Sequence, residues 1–163
     1  MDDRHQPVTG ARAWAAELGK EWWDSPASLS GCNHRPGQTQ MQHAIGVLAL
    51  ASRHWRRVPW RNVRHALNAK RSFLRAAFFH DVGKKFDRDR HDLAGAEWMA
   101  PRDPLAAYLI MGHMGRWGAP WSERQGVALR LGILEWDNQE TRWLADMLAA
   151  CDYTEAVCWS LHR

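Results

Sequence analysis

The chain has 163 residues, 45% apolar and 25% charged, a size and composition that suit one domain burying roughly 68–70% of its unfolded surface, and we expect no second domain. Lys and Arg outnumber Asp and Glu by 22 to 18, and the pI of about 9.3 favours anionic partners without choosing among nucleotide, nucleic acid and phosphoester. No apolar stretch is long enough to span a membrane, and Cys32, Cys151 and Cys158 form no CxxC pair, so the odd cysteine count without a signal sequence predicts a reducing cytoplasm.

In chain order, Ala11 to Asp24 carries Trp14, Leu18, Trp22 and Trp23 at three- and four-residue steps, which predicts a core-packing helix ended by Ser25-Pro26. Ser30 to Gly37 reads as an irregular loop. Thr39 is placed to cap a buried helix from Gln40 to about Arg57, on which His43 shares an inward stripe with Val47, Leu50 and His54. A polar connection begins at Pro59-Trp60, and Ala69 to Phe79 is an apolar helix delivering His80-Asp81. A charged turn at Asp87 to Arg90 precedes a helix over about Asp92 to Met99. Pro101 stops it, and a further helix after Asp103-Pro104 runs up to His113. Gly118 to Trp121 is expected as loop, Val127 to Leu134 as a short helix, and Thr141 to about Trp159 as the last long helix. No alternating strand pattern and no repeat is present, and the reading is an all-α bundle.

His80-Asp81 is the most informative dipeptide, because an imidazole and a carboxylate at the end of an apolar helix are costly unless something compensates their polarity. His43, His91, His113 and Asp146 also fall at element ends or on inward faces. Singly, each is more often an ordinary hydrogen-bonded core residue or a cap. Jointly, four imidazoles and two carboxylates suit one or two divalent transition-metal ions, Mn, Fe, Ni, Co or Zn with Mg as a further option, better than calcium. Most of the eleven Trp residues fall on helical apolar faces and predict core packing, while Trp117 and Trp121 flank a loop where a base could stack. Cys151 and Cys158 lie seven apart and are expected to pack as small hydrophobes.

These residues resemble the H…HD…D signature of the HD superfamily of metal-dependent phosphohydrolases. His80-Asp81-Val82-Gly83-Lys84 is similar to its HD-x-GK stretch, and Arg90 to Ala96 is similar to the histidine-to-glycine segment that follows. The lead-in Pro26-Ala27-Ser28, His34, Pro36-Gly37 and His43 is similar to that of the HD domain in YhaM-type 3′-end exoribonucleases, and related lead-ins occur in HD-type conjugative relaxases. The pattern is broken where Gln38 replaces a second glycine and Met114 a second histidine, and those exoribonucleases carry a separate nucleic-acid-binding domain for which this chain has no room.

The resemblance implies a compact HD-domain helical bundle with a motif-bearing core over about residues 23–158 of the 163-residue chain. It implies one metal held by His43, His80, Asp81 and Asp146, and a second by Asp81, His91 and His113, with Asp81 bridging. Asp146 is preferred over Asp152 as the last ligand because it follows Leu144-Ala145 as the family's aspartate does. It also implies hydrolysis of a nucleotide or nucleic-acid phosphoester by a metal-activated hydroxide. His80, Asp81 and Lys84 would be catalytic, and Lys84, His34 and Arg116 would contact the substrate. An accessory nucleic-acid-binding subunit is a compatible partner. The alternatives are an HD-type di-iron oxygenase, a CRISPR-type HD single-strand nuclease, and a non-catalytic nucleotide-binding subunit.

Overall fold

A computed structural model of the chain describes residues 7–27, 37–56 and 63–161. The described residues form eight α-helices joined by short 3-10 turns and loops, with no strand beyond an isolated antiparallel bridge between Pro26 and Thr39. None of the helices is long and apolar enough to cross a membrane.

The expected first helix is divided in two, α1 over Pro7–Leu18 and α2 over Lys20–Asp24. Gly19 breaks it by taking φ 80°, a region costly for any residue with a Cβ. Trp23 donates its indole N–H to Ala15 across the break and packs on Phe78 and Phe79. Helix α3, Gln40–Trp55, begins in a capping box: Thr39 accepts the Gln42 N–H, and the Gln42 side chain returns the bond to the Thr39 N–H. Helix α4, Val63–Phe79, starts six residues before its apolar stretch, and a single 3-10 turn, Val82–Lys85, follows the His80-Asp81 corner.

Helix α5, His91–Met99, leads through Asp103 into α6, Pro104–Gly112. Asp103 caps α6 by accepting the Ala106 N–H and also binds Ser72 and Arg75 of α4, so one buried carboxylate ties two helices together. Seven residues of α6, Leu105 to Met111, are buried, as expected of a helix packed between α4, α5 and α8.

Helix α7 covers Trp121–Arg130, starting at the loop residue Trp121 and ending before the expected Leu134. Gly132 at φ 68° closes it, with Ile133 N–H reaching back to Ala128 and Gly132 N–H to Leu129. Helix α8, Gln139–Leu161, runs past α3 and α6.

Candidate metal centre

Three histidines are set by one local device. His80 follows the end of α4, His91 opens α5 and His113 follows the end of α6; each turns its Nδ1 onto the carbonyl three residues back, Ala77 at 2.9 Å, Arg88 at 3.0 Å and Ile110 at 2.5 Å. A carbonyl only accepts, so each Nδ1 carries a proton and, in the neutral ring, each Nε2 presents a lone pair. His43 reaches the same tautomer through a side chain, its Nδ1 donating to the buried Glu155 carboxylate.

The four Nε2 atoms and two aspartates converge on one buried space. His43 Nε2 and His80 Nε2 are 3.0 Å apart, and Asp152 Oδ1 lies 3.0 Å from the first and 3.7 Å from the second. On the other side, Asp81 Oδ1 lies 3.5 Å from His91 Nε2 and 4.0 Å from His113 Nε2, two nitrogens that are buried without a hydrogen-bond partner. Asp81 spans the two groups, since its Oδ2 lies 3.6 Å from His43 Nε2 and 3.7 Å from His80 Nε2. His43, His80 and Asp152 therefore form one set that could hold a metal ion, and Asp81, His91 and His113 a second.

The donor set fits a metal cation. Buried lone pairs facing one another repel and lose their hydration unless a positive charge lies among them, and each inward nitrogen is backed by a hydrogen bond on the opposite side of its ring. A proton shared between His43, His80 and Asp152 meets part of this demand, and a metal competes with that proton. Burial alone would raise the Asp81 carboxyl, but the Lys84 ammonium and then His80, His43 and His91 hold it well below the ordinary range. Burial also works against the Asp152 carboxylate, and hydrogen bonds with His43 and His80 hold its pKa well below normal. His113 is pushed down to about 3, by burial first and then by His80 and His91, so its ring is neutral and able to ligate at pH 7.

The surrounding residues explain the spacing of the motif. A Cβ on Gly83 would lie 1.9 Å from the His91 carbonyl oxygen, and one on Gly95 2.9 Å from Ile110. The two glycines let the turn after Asp81 lie directly on the first turn of α5, which brings His91 to Asp81. Lys84 donates to Asp81 and to the Ala27 carbonyl at 3.1 Å, so the Pro26-Ala27 lead-in holds the lysine beside the cluster. Asp92 accepts the Ala119 N–H at 2.9 Å and pairs with Arg124, which in turn donates to the Gly115 carbonyl at 2.7 Å. The loop after His113 is thereby pinned to α5.

One expected residue lies elsewhere. Asp146 is exposed, and Asp152 is in the cluster instead. On α8 the inward face carries Ala145, Leu148, Asp152 and Glu155, spaced by three and four residues; Asp146 is a full 100° step past Ala145 and points away. Glu155 was not anticipated. It lies one turn beyond Asp152, is 8% exposed, and accepts from His43 and, at 2.6 Å, from the Gln38 amide. Gly46 makes room for it, because a Cβ there would come within 2.6 Å of the Glu155 side chain. Gln38, the break in the glycine pair, thus fills a buried position behind His43. An acid at 152 with a second at 155 on one helix face was the signal available in the sequence.

A cavity of about 890 Å³ opens from the cluster, with His91, His113 and Asp152 at its floor and Lys84, Arg88, Met114 and Arg116 on its walls. Arg116 is exposed and stacks on Trp117, while His34 lies outside the described residues. Cys151 is buried, its thiol pushed up to about 11 by burial and by Asp152, whereas Cys158 is exposed rather than packed. Comparison with known proteins finds no family model, no curated protein and no solved structure that matches the chain.

Proposed function

We propose that the chain is a metal-dependent phosphohydrolase of the HD type, acting on a nucleotide or nucleic-acid phosphoester. The observation that carries this reading is the bonding of the four imidazoles: every Nδ1 is engaged behind the ring, and the Nε2 atoms face inward, those of His43 and His80 beside Asp152 and those of His91 and His113 beside Asp81. A histidine kept only for packing has no reason to aim a lone pair at three others. His43, His80 and Asp152 would hold one ion and Asp81, His91 and His113 the other, with Asp81 shared between them. Ions bound there supply Lewis acidity to phosphoryl oxygens and lower the pKa of water enough to make a nucleophile near neutrality.

The chain's own residues supply the rest. Lys84 orients Asp81 from the cavity side and leaves a positive charge at the edge of the cluster, while Arg88 and Arg116 add positive charge along the wall. An anionic ester drawn into this cavity is oriented with its phosphate toward the cluster floor. The same cations argue against an oxygenase, whose substrate need not be anionic.

The test is hydrolysis of nucleoside monophosphates, nucleoside triphosphates and single-stranded DNA with Mn or Ni, under air and without dioxygen. The proposal expects turnover of at least one ester, independent of dioxygen and abolished in both His80→Ala and Asp81→Ala proteins that retain helical circular dichroism. Turnover unchanged in those variants would refute it. Tight nucleotide binding without turnover would point to a non-catalytic subunit instead.

A further inference from the structure

Helix α8 places a second surface beside the cluster. Tyr153, Val157 and Leu161 follow one another at four-residue steps, one position round the helix from Asp152, and line the cavity whose floor is Asp152, His91 and His113. Tyr153 is 73% exposed and Leu161 76% exposed, and Trp117, in the turn that packs against α8, is 76% exposed in the same cavity. An exposed stripe of large apolar side chains is unfavourable in water and marks a surface that is covered in use. The Arg116 guanidinium lies 4.6 Å from the centre of the Trp117 ring, over one face, while most of the indole surface stays open.

Resting on the phosphohydrolase reading, we infer that this aromatic and aliphatic lobe binds the organic half of the substrate, and that the substrate class is a phosphate ester carrying a planar ring. Continuity decides the occupant. The lobe and the cationic rim of Lys84 and Arg116 belong to one cavity, so a single ligand with an anionic end and a flat apolar end meets both, whereas a purely apolar partner would leave the cations and the acidic floor buried against it. The volume, about 890 Å³, lies within the range of small-molecule sites and accommodates a mononucleotide or an aryl phosphate. Because any ring has a π-face, the lobe selects for planarity rather than for a particular pattern of hydrogen bonds.

Phosphonates test binding without turnover, since their carbon–phosphorus bond is not a phosphoester. Calorimetric titration of the full chain loaded with Mn compares phenylphosphonate with methylphosphonate. The ring is expected to tighten binding by roughly 5- to 150-fold, the range that stacking on one aromatic side chain supplies. In a Trp117→Ala, Tyr153→Ala double variant, whose altered side chains are exposed, the ratio of the two affinities falls toward one. Equal affinities in the unaltered protein, or a ratio that survives the double substitution, overturn the lobe while leaving the hydrolase standing. Binding of neither phosphonate overturns the phosphoester reading and the lobe together.

Discussion

Glu155 offers the sharpest perturbation, because its replacement by Gln removes the charge and keeps the shape. In the native protein its two oxygens accept from His43 Nδ1 and from the Gln38 amide at 2.6 Å, while Gln38 Oε1 is buried without a hydrogen-bond partner. In Glu155→Gln the new carbonyl still accepts from His43. The new amide nitrogen faces Gln38, whose own amide can turn to present its oxygen, but the Gln38 NH2 then takes the buried place where that oxygen had no partner. The fold should lose about 1–3 kcal/mol, the cost of one buried donor left without an acceptor. The negative charge behind the His43 ring is lost, and with it part of the ring's basicity toward a cation. Loss of such a partner typically weakens metal binding about 10- to 100-fold, or roughly 1.4–2.8 kcal/mol. The cost falls on one side only, because His91 and His113 are backed by backbone carbonyls that the substitution does not touch. Calorimetric titration of the chelator-treated protein with Mn should resolve a weakened step for the His43, His80 and Asp152 set beside an unchanged one. Full retention of both affinities, with the melting temperature also unchanged, would refute the idea that Glu155 tunes His43.

Other substitutions separate the site from the scaffold. Asp152→Asn should abolish metal binding at its set while Asp146→Asn, on the exposed side of α8, leaves metal content and stability unaltered; metal analysis of the purified variants decides. Gly83→Ala drives a methyl to 1.9 Å from the His91 carbonyl, and the forced separation should cost about 1–3 kcal/mol or more, read as a fall of roughly 2–4 °C in Tm per kcal/mol. Asp103→Ala removes the cap of α6 and leaves Ser72 and Arg75 without their acceptor, for a loss of about 2–4 kcal/mol in urea unfolding. For the metal-free protein, His113 has a folded pKa of about 3 against 6.5 when unfolded. The unfolded chain therefore takes up a proton that the folded one refuses, and stability falls as pH drops below 6.5. The loss from this group between pH 7 and 5 is about 2 kcal/mol and should be missing from His113→Gln. An equal pH slope in the two proteins would contradict that assignment.

The helical nature of the chain was legible because its apolar residues recur at three- and four-residue steps and its caps are explicit, as Thr39 and Asp103 illustrate. Boundaries failed where a single backbone angle decides: Gly19 splits what periodicity joins, and Gly132 ends α7 at Arg130, where the helix expected from Val127 would only have completed its first turn. The convergence of His43, His80, Asp81, His91 and His113 was readable from element ends, since a histidine just past an apolar helix can reach the spare carbonyls of its last turn. The choice between Asp146 and Asp152 was marked only by the second acid at 155, because it depends on which face of a long helix meets α3, and Leu144, Ala145 and Leu148 satisfy either rotation until that helix is placed. Glu155 was hidden for a related reason. Its role is defined by contacts with Gln38 and His43, more than a hundred residues away in the chain.

Anomalous diffraction from crystals soaked in Mn, recorded for the unaltered chain and for His80→Ala, tests the central claim most directly. The account predicts a peak among His43, His80 and Asp152 that the substitution removes, and a second beside Asp81, His91 and His113. Manganese found only on surface carboxylates, with nothing among the four imidazoles, would contradict it.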